Sequence, residues 1–322
     1  MYILSCFITS NKVFILVYKN GVYSNYDFSF YPSFQGKEDL EYLLKNLLKN
    51  LKISVSDCLF LFSSTFYNYN VLDKPTISLN ELISKDKDYL YIYFDNLTLI
   101  SQKNLSCASL GLSKRSDNFL SNRSIFQSKV FNNDLEEVVY FSKSLNDNIS
   151  SPKKKVVLGG DYFTDANIPN EFKINFVSEI LSGGFYEIYI DYLNEYPHFA
   201  SLNIHTNIGY KKPKFEQFIY LITTEKDSEL LFENKSVNKL LPVKKDETMF
   251  IHSDIDKSNL KSNPLLKYKG KDLGKGEISL DTSFGGLFID KRSYKNKKEN
   301  FGVESLRQVL NSIEKSHDYS NL

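Results

Sequence analysis

Residues 2–30 read YILSCFITSNKVFILVYKNGVYSNYDFSF, and this pattern decides the first part of the fold. Three runs rich in aliphatic and aromatic residues, 2–8, 12–19 and 22–30, are separated by the turn pairs Ser10–Asn11 and Asn20–Gly21. Short polar pairs of this kind connect neighbouring antiparallel strands. The stretch therefore predicts an antiparallel meander of three strands.

An amphipathic helix and a further strand follow the meander. In GKEDLEYLLKNLLKNLKI, residues 36–53, leucines recur at helical spacing and lysines occupy the opposite side. The next run, CLFLFSS at 58–64, has the length and composition of a short buried strand. The resulting order, β-β-β-α-β, is that of one ribonuclease H-like half.

A second copy of this order is predicted from residue 88 onward. Strands are expected at 88–94, 97–101 and 105–110, a helix at 133–148 and a strand in KKVVLGG, residues 154–160. Two adjacent glycines then stand at the carboxyl end of a strand, where open α/β sheets bind ligands. A helix ending at Gly183–Gly184 and a strand, FYEIYIDY, follow.

The last third of the chain has a different pattern. Short strand candidates separated by Gly, Lys and Asp begin near residue 211 and predict a small antiparallel barrel or sandwich. The tail VESLRQVLNSIEK places its apolar residues on one helical face, and we expect this helix to dock on the body or on a partner. The predicted division is two halves, 1–87 and 88–210, a β domain at 211–292 and a tail at 293–322.

Composition restricts the class of function. The chain has 322 residues, 42% of them hydrophobic, and a formal net charge of +1, so no broad positive field favours nucleic acid. Three separated cysteines show no metal-ligand spacing and are read as reduced thiols. The sequence contains no apolar run of the roughly 18 residues that a membrane span needs. We therefore expect a cytoplasmic protein without a membrane span.

Several segments carry a resemblance to a known family. Residues 156–202, beginning VVLGGDYFTDANIP, resemble the late nucleotide-binding segment of the glutamate mutase L family, in the hydantoinase-like branch of actin-like ATPases. KGEISLDTSFGGLFIDKRSYK resembles that family's closing pattern, and SCASLGLSKRS is similar to a stretch after its central phosphate loop. The resemblance implies an actin-like ATPase fold, a duplicated ribonuclease H-like arrangement, with a small C-terminal β domain.

The resemblance also implies candidate nucleotide contacts at three turns. The first hairpin supplies Thr9, Ser10 and Asn11, the second supplies Asp95 and Thr98, and the glycine turn supplies Gly159, Gly160 and Asp161. Each turn has an alternative reading, because Ser, Asn, Asp and Gly are ordinary turn residues. For Asp161 that alternative is a solvated side chain in a strand-to-loop turn.

The departures from the family pattern concern phosphate and metal binding. Cys6 stands where the family has an Asp, and Ile8 stands where it has a Gly, while the second hairpin, YFDNLTL, has no glycine. Without glycine the backbone cannot approach a phosphate closely, and without the Asp one Mg²⁺ anchor is missing.

Two functions remain open at this stage. The first is a non-catalytic scaffold that binds a protein partner, with no cofactor and no ATP turnover. The alternative is an ATP-binding remodelling or reactivating factor of the glutamate mutase L type, using ATP with Mg²⁺; if active, the chain would be an ATPase.

Overall fold

The structure is a computed structural model, described over most of the two halves and in shorter segments elsewhere. The described residues are 1–9, 12–29, 37–65, 70–85, 89–94, 99–103, 106–109, 155–181, 184–206, 213–223, 228–234, 238–243, 245–251, 258–263, 267–268, 271–272, 277–280, 286–292 and 303–317. The predicted helix at 133–148 lies outside these residues.

The first sheet contains the predicted meander. Its strands are β1 (Tyr2–Ile8), β2 (Lys12–Lys19), β3 (Val22–Ser29), β4 (Cys58–Ser64), β5 (Asn70–Val71) and β6 (Lys74–Ser78). They lie in the order β3-β2-β1-β4-β6-β5, with β1 parallel to β4 and β4 parallel to β6. Helix α1 (Lys37–Leu51) connects the meander to β4, and α2 (Leu79–Lys85) follows β6.

The second sheet begins with the same topology. Its first strands are β7 (Tyr89–Phe94), β8 (Leu99–Lys103), β9 (Ser106–Ser109), β10 (Lys155–Gly159) and β11 (Gly184–Ile190). β7, β8 and β9 form an antiparallel meander, and β10 lies parallel between β7 and β11. The helices of this half are α3 (Asp161–Thr164), α4 (Asn170–Ile180) and α5 (Glu195–His205).

Three later strands extend this second sheet. They are β12 (Glu216–Thr223), β15 (Thr248–Ile251) and β20 (Leu287–Asp290), which complete the order β15-β20-β12-β11-β10-β7-β8-β9. The expectation that every strand after residue 211 belongs to a separate barrel or sandwich is therefore corrected. Edge-to-edge pairing with β11 places β12 in the large sheet, and β20 then pairs with β12.

The remaining strands of the last third form smaller sheets. β13 (Ser228–Asn234), β14 (Asn238–Val243), β16 (Ser258–Asn263) and β19 (Glu277–Leu280) form an antiparallel sheet in the order β14-β13-β16-β19. β17 (Lys267–Tyr268) pairs with β18 (Lys271–Asp272). Helix α6 (Val303–His317) docks on the body, against β15 and α4.

Hydrophobic clusters show how the layers stack. One face of the first sheet packs on α1, and one face of the second sheet packs on α4 and α6. The inner faces of both sheets contact α2 and α5, which lie between them. The alternation along β1 illustrates this division, because Cys6 points to the α1 layer while Phe7 packs in the layer between the sheets.

This arrangement is the duplicated ribonuclease H-like topology predicted from the sequence. Each half has a meander whose first strand lies parallel to the next strand of its sheet. The chain therefore has the actin-like ATPase fold. One local expectation is wrong: Gly184 does not stop a helix but begins β11, because α4 already ends at Ile180.

Candidate functional site

The candidate site lies where strands of the two halves end. β7, β10 and β11 are parallel neighbours, so their carboxyl ends meet at one edge of the second sheet. The glycine turn leaves β10 at this edge and begins α3. In open α/β sheets this edge is where ligands bind, which makes it the first place to examine for a nucleotide site.

An ion pair connects this edge to the first hairpin. The ammonium Nζ of Lys12, the first residue of β2, lies 2.8 Å from the carboxylate Oδ1 of Asp161. The hairpin itself is held by Thr9, whose backbone N–H donates to the Lys12 carbonyl at 2.9 Å. The Thr9 hydroxyl also accepts the Lys12 backbone N–H at 3.1 Å. Asp161 is therefore paired with a residue of the other half, while its side chain keeps 24% of its surface exposed.

Both glycines of the turn pack closely against their own chain. Gly160 has φ of +96°, and a Cβ placed on it would lie 2.2 Å from the carbonyl oxygen of Phe94. A Cβ on Gly159 would lie 1.9 Å from the hydroxyl of Tyr91. The close approach that requires glycine is thus made by the end of β7 and by a tyrosine, which accounts for both glycines without a ligand.

A buried carboxylate organises the turn between β11 and α5. Asp191 accepts the backbone N–H of Glu195 at 2.8 Å and that of Tyr196 at 2.9 Å. The Tyr91 hydroxyl donates to the same carboxylate at 3.2 Å. Burial raises the pKa of Asp191 to about 7, although the two backbone hydrogen bonds act in the opposite direction.

The same turn closes onto the glycine turn. The side-chain oxygen of Asn194 accepts the backbone N–H of Gly160 at 3.0 Å, and Asn194 itself has φ of +50°. Asp191 meanwhile donates its backbone N–H to the Leu158 carbonyl at 2.8 Å. These polar groups at the carboxyl edge therefore bond one another, and together they hold the edge rigidly.

Helix α5 contributes a polar contact to the first half. The Nδ1 atom of His198 lies 3.0 Å from the hydroxyl of Ser5 on β1, and both residues are buried. Burial lowers the pKa of His198 to about 3, so the ring is neutral at physiological pH.

The structure brings together some of the predicted contacts. Thr9 and Asp161 both bond to Lys12, and Gly160 lies beside the end of β7. Four of the predicted residues lie outside the described part of the chain: Ser10, Asn11, Asp95 and Thr98.

Three residues of this region were not singled out from the sequence. The sequence assigns Lys12 and Asp191 only to strands, and it gives Asn194 no role. The position of an aspartate directly after a buried strand was the available signal for Asp191, because such positions face the ligand edge. No local signal pairs Lys12 with a residue 149 positions away.

A buried hydroxyl near the hairpin has no hydrogen-bond partner among the described residues. Thr65 follows β4 and donates its backbone N–H to the Ile8 carbonyl, which places it beside Thr9 at the ends of two parallel strands. Thr65 is 5% exposed, and within the described part of the chain its side-chain oxygen is unpaired. A buried polar atom left unpaired costs about 1–3 kcal/mol.

Metal-ligand clusters and membrane-spanning helices are both absent from the described residues. Within them, no group of three or more His, Cys, Asp and Glu side chains is arranged to hold a metal ion. No helix in that part of the chain combines the length and apolar character that crossing a membrane requires.

Comparison with known proteins gives distant structural similarities. No family model and no curated protein matches the chain. Among solved structures, it is similar to the activator of the 2-hydroxyisocaproyl-CoA dehydratase from Clostridium difficile with bound ADPNP, at 11% identity and a TM-score of 0.40. That alignment covers 65% of this chain and 100% of the activator.

Two structures of the Aquifex aeolicus Ppx/GppA protein are also similar. One aligns at 13% identity, covering 58% of this chain and 75% of that chain, with a TM-score of 0.30. The other, described as the type II variant of the phosphatase, aligns at 12% identity over 58% of this chain and 76% of that chain, with a TM-score of 0.30.

Proposed function

We propose that this chain is a non-catalytic interaction protein, an actin-like scaffold whose nucleotide cleft is occupied by its own residues. The observation that carries the proposal is the 2.8 Å ion pair between Lys12 and Asp161. In the family that the sequence resembles, the first hairpin holds phosphate and the glycine turn lies near adenosine. Here the ion pair joins these two segments directly, so a nucleotide between them would have to break it.

The packing of the glycine turn supports the same proposal. The carbonyl of Phe94 fills the space that a side chain of residue 160 would occupy. The backbone N–H of Gly160 already donates to the side-chain oxygen of Asn194. A phosphate or ribose would need such an N–H to be available, because backbone N–H groups are the usual anion donors at strand and helix ends. The Gly160 N–H is therefore already used within the chain.

The side chains present also fit Mg²⁺ poorly. Cys6 stands where the family has its metal-orienting Asp, but burial raises the pKa of this thiol and its side chain lies in the α1 layer. Asp161 is paired with Lys12. Because Mg²⁺ prefers carboxylate and water oxygens in octahedral geometry, neither residue offers it an available ligand.

The proposal includes a protein partner and a cytoplasmic location. The formal net charge of +1 gives no broad positive field that would draw nucleic acid to the surface. Without phosphate chemistry, the two halves retain a large folded surface, and presenting that surface to another protein is the role that we assign to them.

The test is a nucleotide assay on the purified chain. We expect ATP turnover with Mg²⁺ equal to that of buffer, and a melting temperature unchanged by ATP, because a ligand that binds the folded state must stabilise it. Gly160→Val serves as the comparison: it should melt at a lower temperature than the wild type, with no nucleotide-dependent shift in either protein. Turnover that Asp161→Ala abolishes would reject the proposal.

One observation favours the alternative, an ATP-binding remodelling or reactivating factor of the glutamate mutase L type. The unpartnered Thr65 hydroxyl lies beside Thr9 at the end of the first hairpin, and the Lys12 ammonium lies on the same hairpin. An anion bound there would accept a hydrogen bond from Thr65 and replace Asp161 as the partner of Lys12. Such an exchange would open the ion pair on binding.

The two functions differ in a measurable way. Under the alternative, Asp161→Asn would strengthen nucleotide binding because it frees Lys12, and Thr65→Val would weaken binding because it removes the hydroxyl. Under the scaffold proposal, neither variant shows nucleotide-dependent stabilisation. Thermal shift measurements on the two variants with Mg²⁺-ATP therefore separate the readings.

A further inference from the structure

The turn between β11 and α5 exposes apolar side chains where turns normally expose polar ones. Tyr192 is 44% exposed and Leu193 is 62% exposed, whereas the flanking Asp191 and Asn194 are 3% and 2% exposed. The centres of turns usually carry Gly, Asn, Asp or Ser, and large apolar residues are usually buried. We call residues 191–194 the apolar tip.

Hydrogen bonds hold the apolar tip rigid. The Asn194 backbone N–H donates to the Asp191 carbonyl at 3.1 Å and closes the turn. The Asp191 carboxylate anchors the tip to the start of α5, and the Asn194 side chain anchors it to Gly160. Because the backbone is already ordered, little conformational entropy remains to be lost when the exposed side chains bind a partner.

The apolar tip lies near the junction of the two halves. Glu195, two residues after Leu193, accepts a hydrogen bond from the Asn25 side chain of β3 at 3.0 Å. One helical turn further, the ring of Phe199 packs edge-on against Tyr23 of the same strand, at 5.8 Å between centroids. The tip therefore projects from a position fixed by both halves.

A carboxylate lies beside the apolar tip. Glu216, an exposed residue at the start of β12, pairs with Ile190 of β11, and after the larger effect of burial it raises the pKa of Tyr192. Glu195 is buried and already bonded to Asn25. An anionic membrane surface would be repelled by Glu216, whereas a protein surface with a Lys or Arg at the matching position would be attracted.

We propose that Tyr192 and Leu193 insert into an apolar pocket of a partner protein whose rim presents a Lys or Arg to Glu216. The proposal rests on the assignment of the chain as an interaction protein and names the surface that it uses. Tyrosine suits this role because it combines a large apolar area with a polar end and few rotatable bonds, and such residues dominate binding energies at protein interfaces.

A photo-crosslinker tests the position of the contact. The amino acid p-benzoylphenylalanine is placed at Leu193 in one protein and, as a control, at Tyr42, which is 71% exposed on α1. Crosslinking is performed in the native host, and the captured protein is identified and purified. We expect a specific product at 193 and none at 42. Equal products at both positions, or no product at 193, would overturn the proposal.

Affinity measurements then test the chemistry with that purified protein. Leu193→Asp and Glu216→Lys should each weaken binding by roughly tenfold or more, and Tyr42→Asp should leave it unchanged. Both altered residues are exposed, so their melting temperatures should match that of the wild type. Unchanged affinity in Leu193→Asp would overturn the proposal.

Two other binding partners of the apolar tip would contradict the proposal. A product consisting of two copies of this chain would make the apolar tip a self-association surface. Binding to vesicles of phosphatidylcholine and phosphatidylserine that Leu193→Asp abolishes would make it a membrane contact. Neither result depends on nucleotide binding, so a failure here is distinguishable from a failure of the scaffold assignment.

Discussion

Gly160 is the residue whose conformation and surroundings both exclude a side chain. Its φ of +96° disfavours L-residues, and the position of an added Cβ is taken by the Phe94 carbonyl at 2.2 Å. Gly21 provides a matched control, since it has φ of +87° but nothing within 4 Å of an added Cβ. Comparing substitutions at Gly160 and Gly21 therefore separates the cost of backbone strain from the cost of steric overlap.

We predict that Gly160→Ala destabilises the protein much more than Gly21→Ala. The change at Gly21 should cost about 1–2 kcal/mol from backbone strain alone. The change at Gly160 should cost about 3 kcal/mol or more, because the carbonyl of β7 must also move. Urea unfolding measures both free energies, and equal losses would show that the close approach to Phe94 is absent.

Asp191 makes stability depend on pH in a direction opposite to that of most carboxylates. Burial raises its pKa from 3.8 to about 7 in the folded protein, so between these values the folded state holds a proton that the unfolded state has lost. The unfolding free energy contributed by this group is therefore fully present below pH 3.8 and is lost as the pH rises through about 7.

The corresponding variant is Asp191→Asn, which cannot ionise. Its stability relative to the wild type should improve as the pH rises from about 5 to about 8, because only the wild type loses the contribution of the protonated carboxyl. Urea unfolding at several pH values in that range measures the difference. A stability difference that is constant with pH would mean that Asp191 is ionised throughout.

At the scale of elements, the ion pair of Lys12 and Asp161 links β2 to α3. Its side chains are 31% and 24% exposed, so solvent partly screens the attraction. We predict a coupling free energy of about 0.5–1 kcal/mol from a double-mutant cycle of Lys12→Ala and Asp161→Ala, decreasing as salt is added. Additive effects of the two substitutions would show that the halves are not linked at this point.

A second ionic contact joins β20 to α4 and is fully buried. The guanidinium of Arg292 lies 2.9 Å from the Glu179 carboxylate and 2.9 Å from that of Asp290, and it also donates to the Ser178 hydroxyl. Although burial alone would lower the pKa of Arg292, the two carboxylates raise it above its ordinary value. The arginine is therefore charged, and it compensates two buried carboxylates.

We predict that Arg292→Met costs about 3–5 kcal/mol, because it removes a charged partner from two buried carboxylates. Lys315→Met, at an exposed position of α6, is the control and should change the free energy of unfolding by less than about 0.5 kcal/mol. Chemical denaturation at neutral pH compares them. Similar small losses in both variants would mean that the network does not hold β20 against α4.

Across the molecule, turn residues and hydrophobic spacing predicted the meander of each half, whereas strand pairing between distant segments decided where the later strands lie. The turn pair Asn20–Gly21 and the leucine spacing of α1 were sufficient for the meander and the helix of the first half, whereas β5, β6 and α2 were not predicted. The placement of β12, β15 and β20 was not predictable from their short apolar runs, since any antiparallel arrangement satisfies that pattern. Their position depends on β12 pairing with β11 over Gly184–Ile190.

The candidate site shows the same limit. The glycine turn was visible because two glycines end a buried strand, but the groups that fill it are distant in sequence. Phe94 reaches Gly160 from β7, and Lys12 reaches Asp161 from β2. Such long-range contacts decide whether a glycine turn packs against a ligand or against its own chain. The sequence of the turn itself does not encode them.

Isothermal titration of Mg²⁺-ATP into the wild-type protein measures whether the cleft binds a nucleotide. If the cleft is occupied by its own residues, the titration gives no saturable heat at concentrations up to millimolar, and Lys12→Ala behaves identically. Saturable binding to the wild type that Lys12→Ala weakens would show that Lys12 exchanges Asp161 for phosphate. That result would contradict the account and make the cleft a working nucleotide site.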